Sequence, residues 1–234
     1  MQIEKFNPTV SYTSRNCPIK PFKIVTDKGV LFCKEIDYDR EYGNSFFRNI
    51  GEFFLDNFAN TSSHPFWKKC RKPTIDREIY NDYIRDNVLE YRSMLKNSDT
   101  TFLLGRNKWG KIKAAIYTRP LSVGKAKDDA TLYIDSLAVS RPFRGRSIGK
   151  KFLNKVINSS KGRFEDSFLV AYNESVPFYK RMGFKMTEGT PQNSKTIKEV
   201  ASERIDYPEY AQFMEKSLSD NPAQEWYKRA DEKI

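Results

Sequence analysis

The stretch from Leu137 to Leu153, LAVSRPFRGRSIGKKFL, combines positive charge with glycine in a way that could bind an anion. It follows an apolar run and leads into a helix, and a helix N-terminus is already the positive end of the helix dipole. Cations at that end are mildly unfavourable unless an anion is present. The stretch nevertheless holds five of them, Arg141, Arg144, Arg146, Lys150 and Lys151, so it predicts an anion-binding loop.

The spacing of the glycines excludes two common phosphate-binding loops. A P-loop has four residues between its glycines and then Lys-Ser/Thr. Here Gly145 and Gly149 are separated by three residues, and Lys150 is followed by Lys151. A dinucleotide fingerprint needs a third glycine. A strand, a glycine loop and a helix still direct backbone N–H groups at one point, so a phosphate remains the predicted ligand.

Hydrophobic periodicity indicates the strands and helices that position this loop. In chain order it predicts a strand pair (22–36), helices (46–58, 76–96), a hairpin turning at 107–110, a strand (130–139), the helix after the loop, a strand (166–173), a short helix (175–182) and a final hairpin that pairs FKMTEG with KTIKEVA. Residues from about 205 to 234 read as one or two polar helices. This order predicts an α/β fold, a mixed sheet with helices on both faces.

The loop resembles the acetyl-coenzyme-A loop of the GCN5-related N-acetyltransferase (GNAT) family, Arg/Gln-x-x-Gly-x-Gly/Ala after a strand ending Leu-x-Val. Arg144 takes its first position, Gly149 its last, and Ser147 stands where the family usually has glycine. A second stretch, NESVPFYKRMGFK from 173 to 185, resembles the family's Asn at a strand end and the Tyr-x-x-x-Gly-Phe that follows. Both motifs occur in the family's order, one helix and one strand apart.

The resemblance implies a GNAT-like, mostly antiparallel central sheet. We expect an N-terminal arm (1–20), the acetyltransferase domain (21–190) and a C-terminal helical extension (191–234) packed on the same domain. It also implies acetyl-coenzyme A as acyl donor, its pyrophosphate bound by amides of the glycine loop, with Val139 N–H polarising the thioester carbonyl. The donor-binding residues it implies are Leu137, Ala138, Val139, Arg144, Gly145, Arg146, Ser147, Ile148, Gly149, Lys150 and Asn173.

Two catalytic roles follow from the resemblance. Tyr179 would act as general acid toward the departing thiolate, or it simply packs in the core. Asp135 is the first choice of general base, with Glu174 second, although Asp135 could instead be a structural ion-pair partner. The acceptor ammonium could also lose its proton to water, and then no single side chain is essential.

The sequence leaves the acceptor open. An acetyl group could pass to a primary amine of a protein, a nucleic-acid-linked group or a small molecule. The segment HPFWKKCRKP, between the first two helices, could meet an acidic protein segment or a nucleic acid, or be an ordinary solvated loop. The alternative function is a catalytically inactive binding module that uses its basic face for nucleic acid. Transfer of a larger acyl group is a third.

Composition narrows these choices. The net charge is +11, and residues 98–163 hold 15 Lys and Arg against 4 Asp and Glu, so the excess centres on the loop. His64 is the only histidine and suits a solvated loop, which disfavours His-based triads and multi-His metal sites. Three cysteines without ligand spacing, Cys17, Cys33 and Cys70, favour a reduced, cytoplasmic protein. We expect no metal site and no membrane segment; the oligomeric state is open.

Overall fold

The computed structural model describes residues 19–38, 40–59, 77–94, 100–122, 130–187 and 211–218. His64, Cys17, Cys70 and the segments HPFWKKCRKP and KTIKEVA lie outside these residues, as does most of the predicted arm and extension. The elements are β1 (Phe22–Thr26), β2 (Gly29–Glu35), α1 (Asn44–Ala59), α2 (Arg77–Met94), β3 (Thr101–Arg106), β4 (Ile112–Ser122), β5 (Ala130–Val139), a 3₁₀ turn (Arg141–Phe143), α3 (Ile148–Ser160), β6 (Asp166–Tyr172), α4 (Val176–Arg181), β7 (Lys185–Met186) and β8 (Ala211–Ser217).

The described strands form one 8-stranded sheet in the order β1-β2-β3-β4-β5-β6-β8-β7. Neighbouring strands run antiparallel except β5 and β6, which are parallel. Parallel strands need a crossover connection, and α3 supplies it between β5 and β6. The mixed, mostly antiparallel sheet predicted from the sequence is confirmed.

Helices cover both faces of this sheet, as predicted. On one face, Phe152, Leu153 and Val156 of α3 pack with inward residues of β3 to β6. On the other, Phe47, Ile50 and Phe54 of α1 pack against the alternate residues of the same strands. The 3.6-residue spacing of each apolar stripe places it on the side of the helix that meets the sheet. In the described part of the chain, no helix has both the length and the apolar character of a membrane span.

The C-terminal region requires one correction. The polar helix predicted there is wrong for residues 211–217, which form β8 and lie in the sheet between β6 and β7. β8 pairs with β6 along its whole length and with β7 at Lys185 and Met186. Pairing on both sides satisfies the backbone of a segment whose own pattern favours neither structure, so tertiary contacts override its local propensity. The predicted pairing of β7 with KTIKEVA involves residues outside the described ones.

Helix α3 packs closely on the sheet at Gly105 of β3. A Cβ added at Gly105 would lie 2.9 Å from Phe152 Cζ and 3.5 Å from the side chains of Ala114 and Cys33. Phe152 is fully buried, so its ring has little room to move. The absence of a side chain at Gly105 therefore fixes how closely α3 sits on the sheet.

We expect Gly105→Ala to lower the free energy of unfolding by about 1–3 kcal/mol, because it overpacks this contact. Gly43→Ala is the matched control, since a Cβ there meets only Ser45 Oγ at 3.9 Å. Urea unfolding measures both. Equal stability of the two variants would contradict this account of the helix position.

Candidate active site

The central feature of the site is the point where β5 and β6 separate. The two strands pair in parallel only through Leu132–Ile134 and Ser167–Leu169. Beyond Ile134, β5 continues to pair with β4 as far as Val139, and β6 continues to pair with β8. The diverging strands therefore open a cleft between them.

A β-bulge at Asp135 marks the same point. The β4–β5 register passes from Thr118–Ile134 to Tyr117–Ser136, so Asp135 is the extra residue. Bulges redirect the side chains around them. Ile134 before the bulge and Leu137 after it consequently pack toward the same core, that of α3. The Asp135 carboxylate accepts hydrogen bonds from Arg119 Nε (3.2 Å) and Ser136 Oγ (3.0 Å).

The cleft has a volume of about 1270 Å³ and extends from the glycine loop to α2. Most of the residues predicted from the sequence line it: Asp135, Leu137, Ala138, Val139, Arg144, Gly145, Ser147, Ile148, Gly149, Lys150 and Tyr179. Glu174, the second choice of base, also lines it. A single cavity thus brings together residues from β5, the glycine loop, α3 and α4.

The glycine loop turns through left-handed backbone. Gly145 has φ 76° and Ser147 has φ 57°. Ser147 is also the residue before α3, and its side chain makes no capping hydrogen bond. The first N–H groups of a helix have no partner within it, and here the side chain that commonly caps them does not do so. The loop therefore presents the donors that an anion needs.

Arg144 holds this loop against its neighbours. Its Nε donates to the Val139 carbonyl (2.7 Å) and its Nη2 to Asn57 Oδ1 of α1 (3.2 Å). Burial, and then the charge of Arg141, lower the pKa of Arg144, but a guanidinium stays protonated at neutral pH. Arg144 consequently ties β5 and α1 to the loop, a role that the sequence did not indicate.

Two of the predicted donor-binding residues do not line the cleft. The Arg146 guanidinium pairs with Asp27 and donates from Nη1 to the Arg144 carbonyl (2.8 Å). Asn173 is exposed, between β6 and α4. The side chain of Arg146 thus stabilises the loop from outside.

Tyr179 lies on α4 with only 8% of its surface exposed. Its ring packs edge-to-face against Phe178 and Phe184. Burial raises the pKa of Tyr179 well above its usual value. The phenol is therefore protonated at neutral pH and is a weaker acid than a free tyrosine.

The end of the cleft beside α2 contains polar residues that the sequence did not single out. Arg119 Nε lies 4.0 Å from Glu90 Oε1, and Tyr117 Oη donates to the same oxygen at 3.4 Å. Burial, followed by the charge of Asp135, raises the pKa of Glu90 to about 6. The sequence does place Tyr83, Asn87 and Glu90 on one side of a helix through their spacing, but only the structure shows that this side lines the cleft.

Comparison with known proteins identifies the family. The model for the acetyltransferase (GNAT) domain matches residues 77–203, more than half of the chain, and the chain belongs to the GNAT acetyltransferase family. Comparison with curated proteins gave no match. Among solved structures, a GNAT-family acetyltransferase from Staphylococcus aureus Mu50 has 21% identity and a TM-score of 0.50, over 80% of this chain and 99% of that one.

A second similar structure is a phosphinothricin acetyltransferase of the GNAT superfamily from Sinorhizobium meliloti, in complex with AcCoA. It has 14% identity and a TM-score of 0.51, over 82% of this chain and 91% of the other. A protein from Pyrococcus horikoshii OT3 has 12% identity and a TM-score of 0.52, over 79% and 98%. At these identities the comparisons show a shared fold.

The left-handed backbone at Ser147 gives a prediction. A β-branched residue is more strained in that region than serine, so we expect Ser147→Val to be about 1–2 kcal/mol less stable to unfolding than Ser147→Gly. Ser147→Gly should be neutral or stabilising. Lys151→Val, at an exposed position inside α3, is the control and should cost only about 0.5 kcal/mol. Chemical denaturation tests this, and a Ser147→Val protein as stable as Ser147→Gly would refute it.

Proposed function

We propose that the protein transfers an acetyl group from acetyl-coenzyme A to a primary amine by direct transfer. The observation that carries this proposal is the separation of β5 from β6 beside a left-handed glycine loop at the start of α3. Together they form a long cleft with backbone donors for a phosphate at one end. The S. meliloti acetyltransferase, described in complex with AcCoA, supports the choice of donor.

The residues of the cleft fit this donor. Backbone amides from Arg144 to Gly149 would hold the pyrophosphate, and Lys150 would add positive charge. At Gly149, at the start of α3, an added Cβ would lie in ordinary contact, 3.5 Å from Phe178 and 3.8 Å from Val139, so this position tolerates alanine but borders the cleft. When bound, the thioester supplies an activated acyl carbon and a thiolate leaving group.

Val139 would polarise the thioester carbonyl. In an antiparallel ladder, the N–H and C=O of one residue point to the same neighbour. Ser140 N–H donates to the Lys113 carbonyl of β4 (2.8 Å), so the groups of Val139, the residue before it, point away from β4. On that side the Val139 carbonyl accepts from Arg144 Nε. The Val139 N–H is thus our candidate oxyanion donor.

Tyr179 would stabilise the departing thiolate. Its raised pKa makes complete proton transfer to a thiolate unfavourable, and a protonated phenol still donates a strong hydrogen bond to an anion. We therefore assign Tyr179 the role of hydrogen-bond donor to the leaving sulfur. This role replaces the full proton donation expected of Tyr179 from the sequence.

Replacement of this donor should lower the rate but not the affinity for the donor substrate. We expect Tyr179→Phe to reduce kcat about 100-fold, as removal of one oxyanion donor does, with the KM for acetyl-coenzyme A changed less than threefold. Steady-state kinetics measures both parameters. A variant as fast as wild type would assign Tyr179 to packing alone.

Donor binding is the primary test of the function. Saturating acetyl-coenzyme A should raise the Tm by about 5 °C or more, and isotope-labelled donor should yield acetylated amines by mass spectrometry.

Gly149→Ala should still bind acetyl-coenzyme A, whereas Gly149→Leu should lose most of the Tm increase because the added atoms enter the cleft. Stabilisation by nucleic acid but not by acetyl-coenzyme A would favour the binding-module alternative.

A further inference from the structure

The end of the cleft beside α2 differs in charge from the end beside the glycine loop. Two carboxylates, Glu90 of α2 and Asp135 of β5, share one cation, Arg119 of β4. All three line the cleft. In a protein with a net charge of +11, these three described residues together carry one net negative charge.

The two carboxylates are not equally satisfied. Asp135 has a close ion pair with Arg119 at 3.2 Å and a hydrogen bond from Ser136 at 3.0 Å. Among the described residues, Glu90 has only a 3.4 Å hydrogen bond from Tyr117 and a 4.0 Å approach of Arg119. An ionised carboxylate accepts about four hydrogen bonds. Glu90 thus has acceptor capacity left, and Asp135 is committed to the Arg119 ion pair.

The exposed fractions of the side chains also distinguish Glu90 from Asp135. The side chain of Glu90 is 40% exposed, whereas those of Asp135 and Arg119 are 24% and 14% exposed. A cation entering the cleft from solvent therefore meets Glu90 with room to approach it. Asp135 acts on such a cation through its charge and by orienting Arg119.

We propose that Glu90 binds the acceptor's ammonium group and takes its proton, and that the acceptor is accordingly a cationic primary alkylamine. This inference rests on the proposed acetyl transfer and names its substrate class. The alkylammonium could belong to a free amine or to a lysine side chain. Glu90 replaces Asp135 as the general base expected from the sequence.

The proton balance of the step is complete. The alkylammonium gives one proton to a Glu90 carboxylate oxygen, and the amine lone pair then forms the C–N bond with the acyl carbon. The C–S bond breaks, its electron pair stays on sulfur, and the second nitrogen proton passes to the thiolate. Glu90 returns its proton to water, and the products are the amide and the free thiol.

The groups that face Glu90 determine how it titrates. Arg119 favours its ionised form, and Asp135 and burial disfavour it, leaving a pKa of about 6. The phenols around it are neutral near pH 7 at their ordinary pKa, and burial raises the pKa of each of them further: Tyr83, Tyr91, Tyr117 and Tyr133. Glu90 is therefore mostly ionised above pH 6, in the form that accepts a proton, and this form is lost as the pH falls below 6.

The experiment compares pH–rate profiles of wild type and Glu90→Gln with spermidine and with Nα-acetyl-lysine amide. Wild-type kcat/KM should rise to a plateau above about pH 6. Glu90→Gln should be about 100-fold slower at pH 7. Its rate should then increase tenfold per pH unit, because it needs the free base of an amine with a pKa of about 10. The acceptor that wild type prefers identifies the source of the alkylammonium.

Controls distinguish the loss of a general base from a loss of folding and from a failure to bind the donor. Asp86→Asn, one helical turn earlier on α2 and outside the cleft, should match wild type. Glu90→Gln should keep wild-type thermal stability and affinity for acetyl-coenzyme A, and calorimetry on the complex with coenzyme A should show at least tenfold weaker spermidine binding. Acetyl-coenzyme A that fails to bind wild type would refute the proposed function itself.

Two outcomes would overturn the inference while leaving acetyl transfer intact. In one, Glu90→Gln keeps the wild-type plateau and Asp135→Asn acquires the rising profile, which would make Asp135 the base. In the other, wild type binds acetyl-coenzyme A but acetylates neither alkylamine.

Discussion

The cleft depends on the short parallel contact between β5 and β6. Two strands that paired along their full length would leave no opening at the centre of the sheet. Here the pairing stops after Ile134 and Leu169, and the bulge at Asp135 falls on the next residue. The bulge turns Leu137 and Val139 toward the core of α3, where both are half-buried, so these apolar side chains stay partly covered where the strand leaves its neighbour. Fold stability and cleft formation therefore come from the same local irregularity.

Two arginines organise the ends of this cleft. Arg144 is bonded to the Val139 carbonyl and to Asn57, and it fixes the glycine loop on the sheet and on α1. Arg119 is paired with Asp135 and fixes the bulged residue from β4. Both guanidiniums are largely committed to protein groups, so the charge available to ligands differs between the ends. Backbone donors and Lys150 favour an anion beside α3, and Glu90 favours a cation beside α2.

The sequence predicts those parts of the structure that are encoded locally. Turn residues and periodicity located β1 to β6 and the helices, and the motif around Arg144 and Tyr179 located the cleft. Strand β8 was missed, because AQFMEKS has no strong period of its own and is held by partners on both sides. Glu90 was missed as a candidate because its importance depends on Arg119 and Asp135, which lie in other elements and approach it only in the folded chain.

The protons that the acceptor loses near Glu90 include the one that the thiolate near Tyr179 needs. An alkylammonium has two protons to lose on becoming a neutral amide, and a thiolate needs one. If Glu90 accepts the first, the second suffices for the sulfur, and no side chain has to supply a proton to the leaving group. A buried tyrosine with a raised pKa suits the proposed site, since Tyr179 would hold the developing thiolate by a hydrogen bond without giving up its own proton. The burial that makes Tyr179 a poor acid is thus compatible with catalysis, because an acceptor that enters as an ammonium itself supplies the proton that the thiolate takes up.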